Sequence, residues 1–211
     1  NFYDEDATVS DAFANDVNEV VREPLGNADY EVGVSETARG DDYRGAGAVE
    51  QRIRSARLYE YAEATGLVDE KLQVPEAVER GSEEMARGFL RALFSADGSV
   101  QGTVEKGASV RLTSTSTDLL AGVQRLLLNF GIFSTIYEDR HEAGDAELPD
   151  GNGGTATYET QADHDLVITK DNLVRFAEEV GFLLDSKSEA LESRLADYNR
   201  GPYAERFEAT V

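Results

Sequence analysis

The chain has 211 residues and a formal net charge of −22, with 42 acidic against 20 basic side chains and no cysteine. That length suffices for one large or two small domains with a substantial core. The absence of thiols excludes disulfides, thiolate metal sites and a cysteine nucleophile. With no membrane-length apolar run and no signal-peptide pattern, a soluble cytoplasmic protein is expected.

Lys71, Lys106, Lys170 and Lys187 are the only lysines, and the remaining basic residues are arginines. Apolar residues make up 40% of the chain and recur periodically, which separates it from disordered acidic proteins. Acidic excess with scarce Lys reads as adaptation to a high-salt cytoplasm. At low salt such a chain is repelled by DNA. At 1 M salt the Debye length is about 3 Å, so only local Arg clusters count, and recognition rests on base contacts and shape.

In chain order, Ser10 is a plausible N-cap for a helix whose apolar stripe runs through Phe13, Val17, Val20 and Val21 and ends near Pro24. Tyr30, Val32 and Val34 alternate with polar or small residues, which predicts a half-buried strand. After a Gly- and Asp-rich loop, Gln51 to Ser55 predicts a second strand, with Arg52 and Arg54 on one face and Ile53 on the other. Arg57 to Thr65 predicts a helix closed by Gly66, followed by an acidic connector over 67–83.

The stretch Gly88 to Val100 predicts a short apolar helix that turns directly into a strand. Leu90, Leu93 and Phe94 form its apolar stripe, while Gly88, Ala92 and Ala96 leave a narrow face open to close approach by another backbone. Asp97 falls at the helix C-terminus, where the macrodipole disfavours a carboxylate, so a bound cation would explain it. Gly98 is expected to close the helix in the left-handed conformation.

Strands are then expected from Val100 and over Ser109 to Ser114, joined by a Lys106-Gly107 turn. Ser116 or Thr117 caps a helix buried through Leu119, Leu120, Val123, Leu126, Leu127 and Phe130 and ended by Gly131. A strand over 132–138, a long loop over 139–157, a strand over 164–169 and helices over 172–180 and 183–198 complete the pattern. Residues 206–211 read as the start of a strand. The element order over 84–181 is helix, strand, strand, helix, strand, strand, helix, and residues 1–66 repeat its last five members.

Leu90 to Gly98, LRALFSADG, resembles the LAGLIDADG signature of homing endonucleases, especially the second copy in inteins. The likeness extends to Arg111 to Leu120, Val123 to Ile132, Asp165 to Ile168 and Asn172 to Phe182, and to the tail Tyr203 to Val211. The resemblance implies an α+β fold of two pseudo-symmetric αββαββα halves with antiparallel DNA-binding sheets. On that basis residues 1–80 are a first half lacking its opening helix and strand, 81–182 are the second half, and 183–211 lead back to a splicing domain. A first motif helix would then lie upstream of Asn1, and the piece given would be inactive by itself.

The resemblance further implies site-specific double-strand DNA cleavage with Mg²⁺, Asp97 as catalytic acid and metal ligand, and Gly98 or Ala96 offering a backbone carbonyl. Gly88, Ala92 and Ala96 would face the other motif helix. Arg52, Arg54, Gln101, Thr103, Arg111 and Thr113 would contact double-stranded DNA, with Arg suited to guanine and Gln to adenine. A basic residue commonly assists the nucleophilic water in this family, and Lys170 is the candidate for that role, whereas His164 reads as a strand residue. The alternatives are a non-cleaving DNA-binding module and a decayed endonuclease insertion within a self-splicing host.

Overall fold

The structure, a computed structural model, describes residues 2–4, 8–38, 49–64, 66, 68, 72–103, 107–141, 143–149 and 155–196. The chain divides into two units, residues 1–69 with 149–155 and residues 70–148 with 156–211.

The first unit contains β1 (Phe2–Asp4), α1 (Thr8–Leu25), β2 (Val34–Ala38), β3 (Val49–Ile53) and α2 (Ala56–Ala64). Strand β3 lies between β1 and β2, antiparallel to both. Helix α1 starts before Ser10, so that residue is a buried helical position rather than a cap, and the helix continues through Pro24 to Leu25. Its buried stripe is Ala14, Val17, Asn18 and Val21, which leaves Phe13 and Val20 exposed, contrary to the sequence pattern.

The strand expected over 30–34 forms instead at Val34–Ala38. The cause is local. Asn18 Nδ2 donates to the Val32 carbonyl at 2.9 Å and Asn18 Oδ1 accepts from the Val32 N–H at 2.7 Å. Arg22 Nε also donates to the Tyr30 carbonyl at 2.6 Å. Backbone groups that a ladder would need are therefore bound by α1, while Val32 still joins Val17 and Val21 in a small core.

The second unit runs α3 (Glu76–Glu79), α4 (Glu83–Asp97), β4 (Gly98–Thr103), β5 (Gly107–Ser114), α5 (Thr117–Asn129), β6 (Thr135–His141), β7 (Gly144–Pro149), β8 (Thr155–Thr160), β9 (Asp163–Thr169), α6 (Asp171–Glu179) and α7 (Asp185–Leu195). The short helix α3 interrupts the expected connector. Strands β4, β5, β9 and β6 form an antiparallel sheet in that order.

Val110, Leu112, Leu166 and Ile168 project from one face of this sheet into a core with Leu90 and Phe94 of α4, Leu120 and Leu127 of α5, and Leu173 and Phe176 of α6. The Phe176 ring meets Phe94 edge-on at 4.9 Å and Phe182 at 5.3 Å. Alternation in the strands and helical spacing in α5 bring these side chains inward, since each element buries one face.

Local signals fix the ends of α5. Ser116 caps its start by accepting from the Leu119 N–H at 3.2 Å. At its end Gly131 adopts φ +67°, and the N–H groups of Ile132 and Gly131 bond back to the Leu127 and Leu128 carbonyls. That pairing satisfies helix-end carbonyls and requires the left-handed residue.

Two strand boundaries differ from the sequence pattern. Strand β6 begins three residues later than expected, and its register with β9 breaks between Tyr137 and His141, where Asp139 has φ +50°. The expected loop over 139–157 holds β7 and the start of β8, which pair as a two-stranded ribbon. Residues 104–106 and the tail 197–211, where a turn and a return strand are expected, lie outside the described residues.

The two units share a pattern. The order β1-β3-β2 with α1 and α2 corresponds to β5-β9-β6 with α5 and α6, and the central strand is antiparallel to both neighbours in each case. Among the described residues, no helix is long and apolar enough to cross a membrane.

Candidate functional site

Helix α4 carries the acid singled out in the sequence. Ser82 caps it by accepting from the Met85 N–H at 3.3 Å, and Leu90 and Phe94 anchor one side in the core at 0% exposure. Gly88, Ala92, Ala96 and Asp97 are exposed. Among the described residues, no atom outside the helix's own nearby backbone lies within 4 Å of a Cβ placed on Gly88.

Asp97 is the last residue of α4, and β4 starts at the next residue without a loop. The expectation that Gly98 takes a left-handed conformation is incorrect, because its φ and ψ are −75° and 156°. Glycine is required for a different reason. A Cβ there would lie 2.5 Å from the Phe94 carbonyl oxygen and 3.0 Å from its Cα. The strand leaves the helix so closely over Phe94 that no side chain fits.

Beside Asp97 sits a residue that the sequence did not single out for this site. Lys187, on α7, donates from Nζ to the Ser95 carbonyl at 2.6 Å and to the Ala96 carbonyl at 3.3 Å. A cation at the C-terminal carbonyls of a helix is favourable. Burial pulls the Lys187 ammonium below the usual lysine range, and the Asp97 carboxylate partly opposes that shift. The Ala96 carbonyl, considered as a metal donor from the sequence, is thus engaged by Lys187.

Four hydrogen bonds, one of them within α4, fix the segment that leads into α7. Ser95 Oγ accepts from the Leu183 N–H at 2.7 Å and donates to the Arg91 carbonyl at 2.6 Å. Arg91 donates from Nε and Nη2 to the Phe182 carbonyl at 3.2 and 3.1 Å. The segment entering α7 is pinned to the last two turns of α4.

The sheet face turned away from the helices is polar. Register aligns Gln101 with Ser109 and Thr169, then Ser99 with Arg111, Val167 and Thr135, then Thr113 with Asp165 and Tyr137. Gln101, Thr103, Arg111 and Thr113 therefore lie on one face, as alternation requires, with Thr103 ending β4 opposite Gly107. In the first unit Arg52 pairs with Ser35 on β2, Arg54 lies one residue past β3 and is exposed, and Ile53 packs toward the small core.

Lys170 does not join Asp97. Gly98 is aligned with Leu112 and Leu166, and Lys170 lies four residues beyond Leu166. At about 3.3 Å per strand residue that is roughly 13 Å along the sheet. Lys170 instead occupies the N-cap position of α6 with φ +57° and an exposed side chain. Strand β9 runs away from the end of the sheet where β4 leaves Asp97, and it carries Lys170 with it. His164 is a β9 residue, and its Nδ1 accepts from the Asp139 N–H at 2.9 Å.

Among the described residues no three His, Asp or Glu side chains converge to enclose a cation. Asp97 nevertheless fits one way of holding a hard divalent ion. Mg²⁺ keeps several waters and is commonly bound through one or two carboxylates plus substrate phosphates, which an exposed lone carboxylate permits. Gly98 would add only a backbone oxygen.

Residues 84–181 match the family of LAGLIDADG-like domains. The chain is 33% identical over 122 residues to ribonucleoside-diphosphate reductase NrdEB subunit alpha of Bacillus subtilis (strain 168), covering 57% of this chain and 11% of the relative. It is 37% identical over 108 residues to a DNA polymerase of Thermococcus litoralis, covering 51% and 6%. It is 31% identical over 152 residues to the probable translation initiation factor IF-2 of Thermococcus kodakarensis, covering 72% and 11%. The chain thus spans between 6% and 11% of the length of these three relatives.

Among solved structures, mesophilic variants of the homing endonuclease I-DmoI align with a TM-score of 0.51 at 19% identity, over 88% of this chain and 78% of theirs. I-DmoI in complex with DNA and Ca aligns with a TM-score of 0.51 at 18% identity, over 90% and 81%. The chain has the mixed α/β, antiparallel fold of a LAGLIDADG homing endonuclease.

Proposed function

We propose that the chain is the DNA endonuclease part of an intein from a halophilic archaeon, acting in the cytoplasm on double-stranded DNA with a divalent metal, Mg²⁺ in the cell. The observation that carries this reading is the placement of Asp97. It is an exposed acid at the end of a core-anchored helix, joined without a loop to a sheet whose open face is polar. Such a sheet suits a nucleic-acid groove, and an acid beside it suits phosphate chemistry.

Support for the intein part comes from the relatives. A reductase, a DNA polymerase and an initiation factor have unrelated chemistries, yet each shares one stretch with this chain amounting to about a tenth of its length or less. A segment distributed in that way behaves as an insertion that travels independently of its hosts. The excess of acidic residues supports the halophilic part.

In this reading Asp97 holds the divalent ion, which when bound supplies Lewis-acid polarisation of the scissile phosphate. Lys187 is the basic group of the site. Its ammonium is ordered by the Ser95 and Ala96 carbonyls, and burial eases its loss of a proton. It can therefore orient water beside Asp97 or exchange a proton with it. Gln101, Thr103, Arg111 and Thr113 contact one part of the DNA, and Arg52 and Arg54 contact another.

A second reading is DNA binding without cleavage, favoured by the single carboxylate at the end of α4. One experiment tests both. The full-length natural protein that contains this chain, and its Asp97→Asn variant, are incubated at high salt with a randomised duplex library, with Mg²⁺ or with chelator, and nicked ends are sequenced. Metal-dependent nicks that vanish in Asp97→Asn support the endonuclease. Retained duplex without nicks supports the binding module, and failure to retain DNA overturns both.

A further inference from the structure

Asp165 occupies β9 in the middle of the sheet, on the face away from the helices, and is only 5% exposed. Leu166 and Ile168 of the same strand serve the core, whereas Asp165 adds nothing to it. Burying a carboxylate is costly unless charged and hydrogen-bonding partners meet it. Here three do. Thr113 Oγ1 donates to it at 2.6 Å, Arg111 Nη1 donates at 3.3 Å, and Arg140 Nε lies 3.9 Å away.

These partners come from both neighbouring strands, β5 and β6. Arg111 is held at a second point, because its Nε donates to Ser109 Oγ at 3.2 Å. An arginine on an open strand normally sweeps many rotamers. This one has its guanidinium plane set by Asp165 and Ser109, with the N–H groups of Nη2 unpaired among the described residues.

The charge balance indicates what the arrangement is for. Asp165 cancels the charge of Arg111, so the pair adds nothing to general attraction for a polyanion. A buried ion pair is also a weak route to stability, since apolar side chains of similar volume often serve as well. What the pair does supply is orientation. A fixed guanidinium fork matches two acceptors at a set spacing, as on the major-groove edge of guanine, whereas a phosphate contact needs no such orientation.

We propose that Asp165 is a specificity-determining residue of the sheet, which sets the Arg111 guanidinium to read a guanine in the major groove and holds Arg140 beside it. This rests on the sheet being a DNA-binding face. Asp165 acts through Arg111 and is a positioning residue.

The test uses the full chain at high salt and a randomised duplex library, with sites selected and sequenced. Wild type is expected to enrich a guanine at one position, and Arg111→Ala to lose that preference. Asp165→Asn is expected to lower the preference about tenfold, while retention of unselected DNA stays level or rises because one negative charge is gone. Thr113→Val, which keeps the charge but removes the anchoring bond, should lower the preference to a lesser degree; it covers the case in which Asp165→Asn fails to fold and is read on the guanine position alone, since Thr113 itself is placed at the DNA.

A guanine preference unchanged in whichever of these two variants folds overturns the proposal. So does a parallel fall in preference and in general retention, which is the mark of a purely structural role. If wild type retains DNA without enriching a guanine, the positioning role fails while the DNA reading stands. If wild type retains no DNA, both fall.

Discussion

The ammonium of Lys187 donates to the Ser95 carbonyl across 2.6 Å, which ties α7 to the last turn of α4 from 92 positions away in sequence. The same ammonium lies within the field of Asp97. An acid and a base are thus gathered at one helix end by a contact that no local pattern encodes. Replacing Lys187 with Met keeps the stem and removes the charge. If the site is a nuclease, Metal-dependent nicking should fall about 100-fold or more, with DNA retention preserved. Equal nicking by the variant would remove Lys187 from the chemistry.

The same lysine gives a signed pH dependence. Burial lowers its folded pKa below the 10.5 of an ordinary lysine. Between the two values the unfolded chain binds more protons than the folded one, so stability rises with pH in that window. The unfolding free energy of wild type minus that of Lys187→Met should therefore increase as pH climbs from below the folded pKa toward 10.5. Denaturant titrations of both proteins across that range check the slope, and a falling difference would contradict the burial described.

Gly98 and Gly88 lie on one helix–strand unit yet should respond oppositely to alanine. At Gly98 the new methyl meets the Phe94 backbone, which cannot yield, and a loss of about 1–3 kcal/mol or more is expected. At Gly88 it meets nothing among the described residues, and alanine should stabilise the helix by about 0.5–1 kcal/mol. Chemical denaturation of the two variants distinguishes them.

Ser95→Ala strips the Leu183 N–H of its acceptor, while the Arg91 carbonyl loses its side-chain donor and keeps its helical one. A part-buried hydrogen bond lost in this way costs about 0.5–1.5 kcal/mol. The loss should be accompanied by faster amide exchange at Leu183, measured by NMR. Unchanged protection there would show that the segment entering α7 is held by Arg91 alone.

Lys170 sits at φ +57°, a region costly for residues with a side chain. Lys170→Gly should stabilise the protein by about 1 kcal/mol and leave any nicking intact. Loss of nicking would return Lys170 to the active site.

Much of this organisation was legible in the sequence because its causes are local. The core face of α5, its Ser116 cap, its Gly131 stop and the polar face carrying Arg111 follow from spacing and turn chemistry. What escaped depends on distant partners. Lys187 lies on a weakly patterned helix among Asp185, Ser186 and Ser188, and nothing nearby marks its partner. Asp165 precedes an apolar run and is buried only because Arg111 and Thr113 close over it. The strand expected over 30–34 was displaced because Asn18, fourteen residues earlier, captures both backbone groups of Val32.

The loop-free passage from Asp97 to Gly98 couples two periodicities that are usually independent. One residue inserted there would turn the helix by about 100° relative to the sheet, or move every side chain of β4 to the opposite face. Either change would separate the acid from the polar rows it adjoins. The fold at this junction should therefore tolerate substitution of exposed Asp97, whatever that does to nicking, far better than any change in its length, and length variation among natural versions of this unit should accumulate instead in the β7–β8 ribbon.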